Sequence, residues 1–332
     1  MRGLVSILIP AHNADKWLGE AVASALAQTW PEKEIIIVDD GSTDGTFKAA
    51  KTFASESVLA VRQGHAGAAS ARNRALSLSH GDFIQWLDAD DLLAPDKIAE
   101  QIKAAESDLS DMILYSSPHG IFYYRRRKAR FVPNALWRDL SPADWLIGNF
   151  AGNLWMQPAA WLVSRALTEK AGPWDERLSM DDDGEYFARV VAKSERVRFI
   201  PKAKSYYRQS GFGQVSHNVS EKALASLQLS ATLRIRTLLS LEDSERTRAA
   251  GRGLLEANLP LFYPEKPDMV ERMNALASEL GGRLAPPRFG WRSALLQKSL
   301  GPKRGKALMT VLRRLRMTAA VNWDKMLYRL GL

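Results

Sequence analysis

Short apolar runs without polar alternation, each closing on polar or acidic residues and each followed by a helical stripe, constrain this chain more than any other feature. Residues 4 to 9 (LVSILI) lead into Pro10, 35 to 38 (IIIV) into Asp39 and Asp40, and 83 to 87 (FIQWL) into Asp88. Runs of this kind fit strands covered on both faces, as in a parallel sheet, and Val58 to Val61 reads as a further strand. Helix signals lie between them. Asn13 is the expected N-cap of a stripe formed by Trp17, Leu18, Ala21, Val22, Ala25 and Leu26, with Pro31 beyond its end. Thr43 or Asp44 is the expected cap of a second helix, and residues 68–78 and 96–105 supply two more. Strand and helix in alternation predict an α/β layer fold with a single, mostly parallel, Rossmann-like sheet flanked by helices.

In such a sheet ligands bind outside the carboxyl ends of the strands. His12 and Asn13, Asp39 and Asp40, and Asp88, Asp90 and Asp91 all fall there. Carboxylates gathered at one edge repel unless a cation lies between them, and hard oxygen ligands suit Mg²⁺ or Mn²⁺. The simpler account of Asp88-Ala89-Asp90-Asp91 is an acidic turn before the helix that follows Pro95. Its position behind a buried strand, with Asp39 on a second strand, favours a ligand site.

The chain has no cysteine, which excludes a thiolate nucleophile, a disulfide framework, Cys-ligated zinc and an iron–sulfur cluster. With 46% hydrophobic and 25% charged residues it has the composition of a folded globular chain. The first βα turn lacks G-x-G-x-x-G and no P-loop motif occurs, so dinucleotide and P-loop chemistry lose their main support. The start, Met1 to Pro10, shows no small-residue cleavage site, and the expectation is a cytosolic product. Residues 145–164 carry no charge, but Gly148, Asn149, Gly152, Asn153, Gln157 and Pro158 argue for buried wall over a spanning helix.

The segments VSILIPAHN, EIIIVDDGSTDGT (34–46), GAASARNRAL (67–76), GDFIQWLDADD (81–91) and AGPWDERLSMDDDGEYFARV (171–190) occur in one order and register over roughly residues 3 to 217. Together they resemble glycosyltransferase family 2. That resemblance implies the GT-A fold, a nucleotide-diphosphate sugar donor with UDP foremost, and a divalent metal. Laid on these residues, it implies that Asp39 hydrogen-bonds the base, with Pro10 and His12 lining the same pocket. Arg72 closes over the nucleotide, Asp88 lies near ribose and metal, Asp90 ligates the metal, and Asp91 supports the turn. His217 contacts diphosphate or completes the metal shell. Asp183 is the base that takes the acceptor's hydroxyl proton in an inverting, single-displacement transfer to a glycan or lipid-linked acceptor, as in polysaccharide and cell-envelope synthesis. The family usually carries Glu in the slot of Asp182 and a bulky residue in that of Gly184, so Asp181, Asp182 and Asp183 leave the register open. Among Trp145, Trp155, Trp161 and Trp174, Trp155 is the candidate for an acceptor wall, because an aromatic face buries the apolar side of a pyranose.

The expected division is a catalytic domain over 1–220, with a nucleotide-sugar half over about 1–115 and an acceptor half over about 116–220, followed by a helical C-terminal region over 221–332. Net charge is +9, and residues 283–332 hold twelve Lys and Arg against the single acid Asp324. The basicity therefore belongs to the tail. No DNA- or RNA-binding module accompanies it, and nucleic acid is not an expected partner. Leu308, Val311, Leu312, Leu315, Ala319, Trp323, Met326 and Leu330 repeat at helical spacing, broken by Asn322. Such a basic amphipathic helix fits peripheral contact of 303–332 with the inner face of a membrane, or equally a helix docked on its own domain or on a partner. Two other functions stand beside transfer: a non-catalytic GT-A domain that binds a nucleotide sugar or carbohydrate, and a nucleotidyltransferase on a similar sheet.

Overall fold

The computed structural model describes residues 3–209, 220–285 and 301–331. Strands β1 (Val5–Ala11), β2 (Lys33–Asp40), β3 (Val58–Gln63) and β4 (Phe83–Trp86) are joined by helices α1 (Asp15–Leu26), α2 (Thr46–Thr52) and α3 (Ala68–Ser77). They run parallel, with β1 hydrogen-bonded to β2 on one side and β4 on the other, and β3 outside β2. Side chains along β1 and β2 alternate between two faces, and both faces are apolar. Leu8, Ile36 and Val38 pack in the layer that includes Ala71 and Ala75 of α3, whereas Ile7, Ile9, Ile35 and Ile37 pack with Leu18 and Ala21 of α1. This double burial is why the strands read as continuous apolar runs.

The chain continues through β5 (Leu92–Leu93), α4 (Lys97–Ala105), β6 (Ile113–Ser116), β7 (His119–Phe122) and β8 (Arg130–Phe131). Next come α5 (Pro142–Ala151), β9 (Val163–Ser164), α6 (Arg165–Ala171), α7 (Asp182–Lys193), β10 (Arg196–Phe199) and β11 (Ser205–Arg208). The main sheet has the order β3-β2-β1-β4-β9, β6 pairs with β10, and a smaller sheet has the order β5-β11-β7-β8. The uncharged stretch 145–164 is buried at Trp145, Phe150 and Trp161, but Gly152, Asn153 and Trp155 are exposed, so it is wall only in part. Asn13 does not cap α1. It adopts a left-handed conformation, and its side-chain oxygen accepts from the Thr43 amide. It ties the end of β1 to the loop after β2, while Asp44 accepts from the Thr46 amide at the start of α2.

Helices α8 (Glu221–Leu241), α9 (Glu245–Phe262) and α10 (Pro267–Glu279) share a continuous apolar cluster with α5 and α7. The last helix, α11 (Pro302–Arg329), is uninterrupted at Asn322. It docks through its only acid. The Asp324 carboxylate accepts from the Tyr124 amide at 2.8 Å, the Arg125 amide at 3.1 Å and Arg125 Nε at 2.7 Å. Beside this clamp Val321 and Met317 pack against Trp17 and Tyr124. No helix among the described residues is long and apolar enough to cross a membrane.

Removing a carboxylate that satisfies three donors leaves them short of partners, at a cost of about 1–3 kcal/mol. Asp324→Ala is expected to speed hydrogen exchange at the amides of Tyr124, Arg125 and α11 while the β1, β2 and β4 amides stay protected. Unchanged exchange at 124 and 125 would show that the clamp does not hold the helix.

Candidate active site

Because β1 lies between β2 and β4, the polar residues that follow these strands emerge side by side. Two groups of side chains form there.

The first is at the ends of β1 and β2. The Asp40 carboxylate accepts from the amides of Ala66 and Gly67, from Gln63 Nε2 and from His65 Nδ1, at 2.8–2.9 Å. Burial alone would raise its pKa, but the Ala66 amide, Gln63 and the other donors hold it below the usual carboxylate range. His12 Nδ1 lies 2.7 Å from the Asp40 carbonyl oxygen, and its ring stacks on that of His65 with centroids 4.3 Å apart. One ligand atom from each of His12, Asp40 and His65 falls within 4.8 Å of the others. Those of Asp40 and His65 are already engaged with one another, so the better description is a polar shelf with a flat aromatic top. Pro10 is partly exposed one residue before the end of β1.

Asp39 faces the other way. Successive strand residues point to opposite faces, and Asp39 pairs in register with Arg62 of β3. Its carboxylate is fully buried, meets Arg62 Nε at 3.0 Å and accepts from the Ser42 amide. The structure thus puts Asp40, not Asp39, on the side of His12.

The second group converges on Arg72, in α3. Its guanidinium donates to Asp88 from Nη2 at 2.9 Å and to Asp182 from Nη1 at 2.6 Å, and lies over the Trp174 ring at 4.3 Å. Trp174 stacks on Tyr186 of α7 at 4.0 Å and meets the edge of Trp86 at the end of β4. An aromatic slab therefore fixes the cation that, among the described residues, joins the loop after β4 to the start of α7. Instead of standing over an open cleft, Arg72 is enclosed, and its pKa is raised by the charges of Asp182 and Asp88 against the effect of burial.

The three adjacent acids at 181–183 separate by partner. Asp181 takes a left-handed conformation before α7, and its carboxylate accepts from Ser230 Oγ and Arg234 Nη1 of α8, at 2.6 and 2.7 Å. Asp182 pairs with Arg72. Asp183 Oδ1 accepts from the Gly184 amide at 2.9 Å. Burial, then the charges of Asp182 and Asp181, push Asp183 up to about 7, with Arg72 opposing. Glycine at 184 is accounted for, because a Cβ there would collide with the Asp181 carboxylate.

Asp91 is fully buried, accepts from the Arg208 amide at 2.9 Å, and is pushed well up by burial and by the charges of Asp90 and Asp88. The Tyr207 hydroxyl is likewise raised, by burial and then by Asp91, Asp90, Asp88 and Asp183. Tyr207 packs on Trp155 with centroids 4.9 Å apart, and Trp155 packs on His119 at 4.8 Å. Burial pushes His119 down to about 4, so it is a neutral pedestal for the exposed Trp155 ring. His217 lies outside the described residues. Asp40, His65 and Tyr207 had no distinguishing sequence signal beyond adjacency to residues already singled out: Asp40 beside Asp39, His65 just after β3, and Tyr207 in a short strand.

The geometry has counterparts among known proteins. The family model Glycosyl transferase family 2 matches residues 6–150. Over that region, rather less than half of its length, the chain is similar to this family. An uncharacterized glycosyltransferase of Rickettsia typhi is 39% identical over 199 residues, 58% of this chain and 59% of that protein. The chain thus spans rather more than half the length of that relative. The Escherichia coli UDP-Glc:α-D-GlcNAc-diphosphoundecaprenol β-1,3-glucosyltransferase WfaP is 40% identical over 106 residues, 32% of this chain and 42% of that one. The crystal structure of residues 1–349 of S. aureus TarS superposes with a TM-score of 0.61 at 18% identity, covering 93% of this chain and 91% of that chain. Its complex with UDP-GlcNAc gives 0.60. The mixed, mostly parallel α/β architecture with helices after it is therefore the GT-A fold that the sequence motifs implied.

A carboxyl that ionises near neutrality when folded, but at about 4 when unfolded, binds more protons in the native state. Stability then falls as pH rises between those two values and levels off above them. Asp183→Asn is expected to raise the melting temperature, in chelator, at about pH 8 and to leave it near wild type at about pH 4. Equal melting temperatures at the higher pH would show that the carboxyl carries no such penalty.

Proposed function

We propose that this chain transfers a sugar from a nucleotide-diphosphate donor, UDP-sugar foremost, to a hydroxyl of a glycan or lipid-linked acceptor, with inversion. The reading assigns catalysis to residues 1–220 and an accessory helical role to 221–332. The observation that carries it is the ion-paired cluster in which Arg72 joins Asp88, in the loop that also holds Asp90 and Asp91, to Asp182, with Asp183 beside it in the first turn of α7. A silent binding domain would not need a carboxyl raised toward neutrality beside a cluster of other acids. A nucleotidyltransferase would not call for the exposed aromatic wall described above.

In this reading the base of the donor lies on the shelf made by Pro10, His12, His65 and Asp40, with Asp39 behind it holding Arg62. Asp88 and Asp90 hold Mg²⁺ or Mn²⁺, with His217 as the further ligand. The chemistry of the donor set fits, since hard carboxylate oxygens crowded at one edge are what such ions bind. A bound ion there supplies positive charge to the departing diphosphate. Arg72 acts as a positioning residue that keeps Asp88 and Asp182 apart and in place. Asp183 takes the proton of the acceptor hydroxyl as the oxygen bonds to the anomeric carbon and the bond to diphosphate breaks. A pKa near neutrality suits that task at cellular pH. Trp155 presents the flat face against which the acceptor ring lies, with Tyr207 between it and the acids. The expected place of work is the cytoplasmic side, where nucleotide sugars and the head groups of lipid-linked acceptors meet.

Asp183→Asn is expected to keep its thermal shift with UDP and Mn²⁺ while losing transfer by on the order of 10²-fold or more. Retained turnover would remove Asp183 from the role. Asp90→Ala is expected to lose the Mn²⁺-dependent part of the UDP shift. A shift that survives chelation equally in both proteins would count against the ligand assignment.

A further inference from the structure

The docked face of α11 and its apolar stripe are two different surfaces. Met317, Val321, Asp324 and Tyr328 recur at fours and threes and face the Tyr124 region, where Tyr328 meets the Tyr124 ring at 5.9 Å. Leu308, Leu312, Leu315, Trp323, Met326 and Leu330 recur at the same spacing, but on the side of the helix roughly 180° away. All six are exposed, Leu315 and Trp323 at 62% and Leu330 at 63%. From Leu308 to Leu330 the stripe runs for about 33 Å along the helix. A contiguous apolar surface of that extent is unusual on a chain that works alone in water.

Charge selects the occupant. Exposed Arg304 and Arg329 border the stripe on one side and exposed Arg316 on the other. The helix carries eight Lys and Arg in all, and its only acid is turned inward to the clamp. A second copy of this chain would set this positive surface against another like it. An anionic lipid surface would bury the apolar stripe and neutralise the arginines, whose long stems let the guanidinium groups reach the head groups. We propose that α11 is an interfacial helix that lies in the head-group region of an anionic membrane while its opposite face stays clamped to the catalytic half. It lies on the membrane and does not cross it, in keeping with the absence of a spanning helix among the described residues. The proposal goes beyond the transfer reading and does not depend on it.

The test is flotation of the full chain with vesicles of phosphatidylcholine, with and without phosphatidylglycerol. Binding is expected only when phosphatidylglycerol is present and is expected to fall as salt is raised. Leu315→Asp combined with Trp323→Asp is expected to weaken it by on the order of tenfold or more. Arg316→Glu combined with Arg329→Glu should weaken it comparably while leaving the apolar stripe intact. Circular dichroism and melting temperature of both variants should match wild type, since these side chains face solvent. No flotation, equal flotation with pure phosphatidylcholine, or flotation indifferent to both double variants would overturn the proposal. So would lipid-free self-association that the Leu315→Asp and Trp323→Asp changes abolish, which would make the stripe an interface between copies. None of these outcomes bears on UDP binding or transfer, which are read separately on soluble ligands.

Discussion

The arrangement depends on one ion-paired cation. Arg72 reaches Asp182 across 110 positions of sequence and Asp88 across 16. Without it, carboxylates from the loop after β4 and from the start of α7 would face one another with only mutual repulsion between them. Breaking a buried pair by removing one partner is strongly destabilising because it leaves a charge enclosed and uncompensated. The pairing therefore holds the start of α7 beside the loop after β4, while the apolar face of the helix packs in the core. The Trp174 ring beneath the guanidinium, itself stacked on Tyr186, removes the freedom that a long side chain would otherwise have. The start of α7 is also the positive end of a helix dipole, which favours acids there.

Much of the fold was legible because its strands are covered on both faces. Double burial writes itself as uninterrupted aliphatic runs, and the residues after β1, β2 and β4 could be placed at one edge from the run ends alone. Helix limits were legible to within a residue or two where Pro or Asp punctuates them, as at Asp96 and Pro95. Side-chain direction was not. Asp39 and Asp40 are indistinguishable in sequence, and what separates them is strand alternation and the register that sets Arg62 opposite Asp39. The same limit applied to Asp181, Asp182 and Asp183, whose different partners lie in α8, in α3 and in their own turn. Tyr207 was unreadable for another reason, since its neighbours come from segments far away along the chain.

The departure at Gly184 shows how a local irregularity follows from a distant contact. Arg234 and Ser230 of α8 draw the Asp181 carboxylate into the space that a side chain at 184 would fill. The helices after residue 220 thus take part in shaping the acidic turn, consistent with the apolar cluster they share with α5 and α7. The tail held a parallel lesson. Its hydrophobic periodicity described the outward stripe alone, because the docking face is built around an aspartate and is invisible to a pattern that counts apolar residues. A single helix can carry both faces because a surface held by a three-donor carboxylate needs few apolar contacts beside it.

The clamp and the acidic loop are two sides of one packed unit. Arg208 is fully enclosed, with its guanidinium over Trp17 at 4.0 Å and Phe122 at 4.5 Å. It donates from Nε to the Asp90 carbonyl oxygen and from its amide to Asp91. Trp17 packs on Tyr124 at 5.3 Å, and the Tyr124 amide is held by Asp324. Close-packed interiors transmit displacement because they contain few voids to absorb it. A surface bound to the outward stripe of α11 would therefore sit at a fixed distance and angle from the acids, rather than at the end of a tether. Were the proposed acceptor a head group confined to a plane, such rigid placement would remove much of the orientational entropy that the transition state would otherwise have to supply.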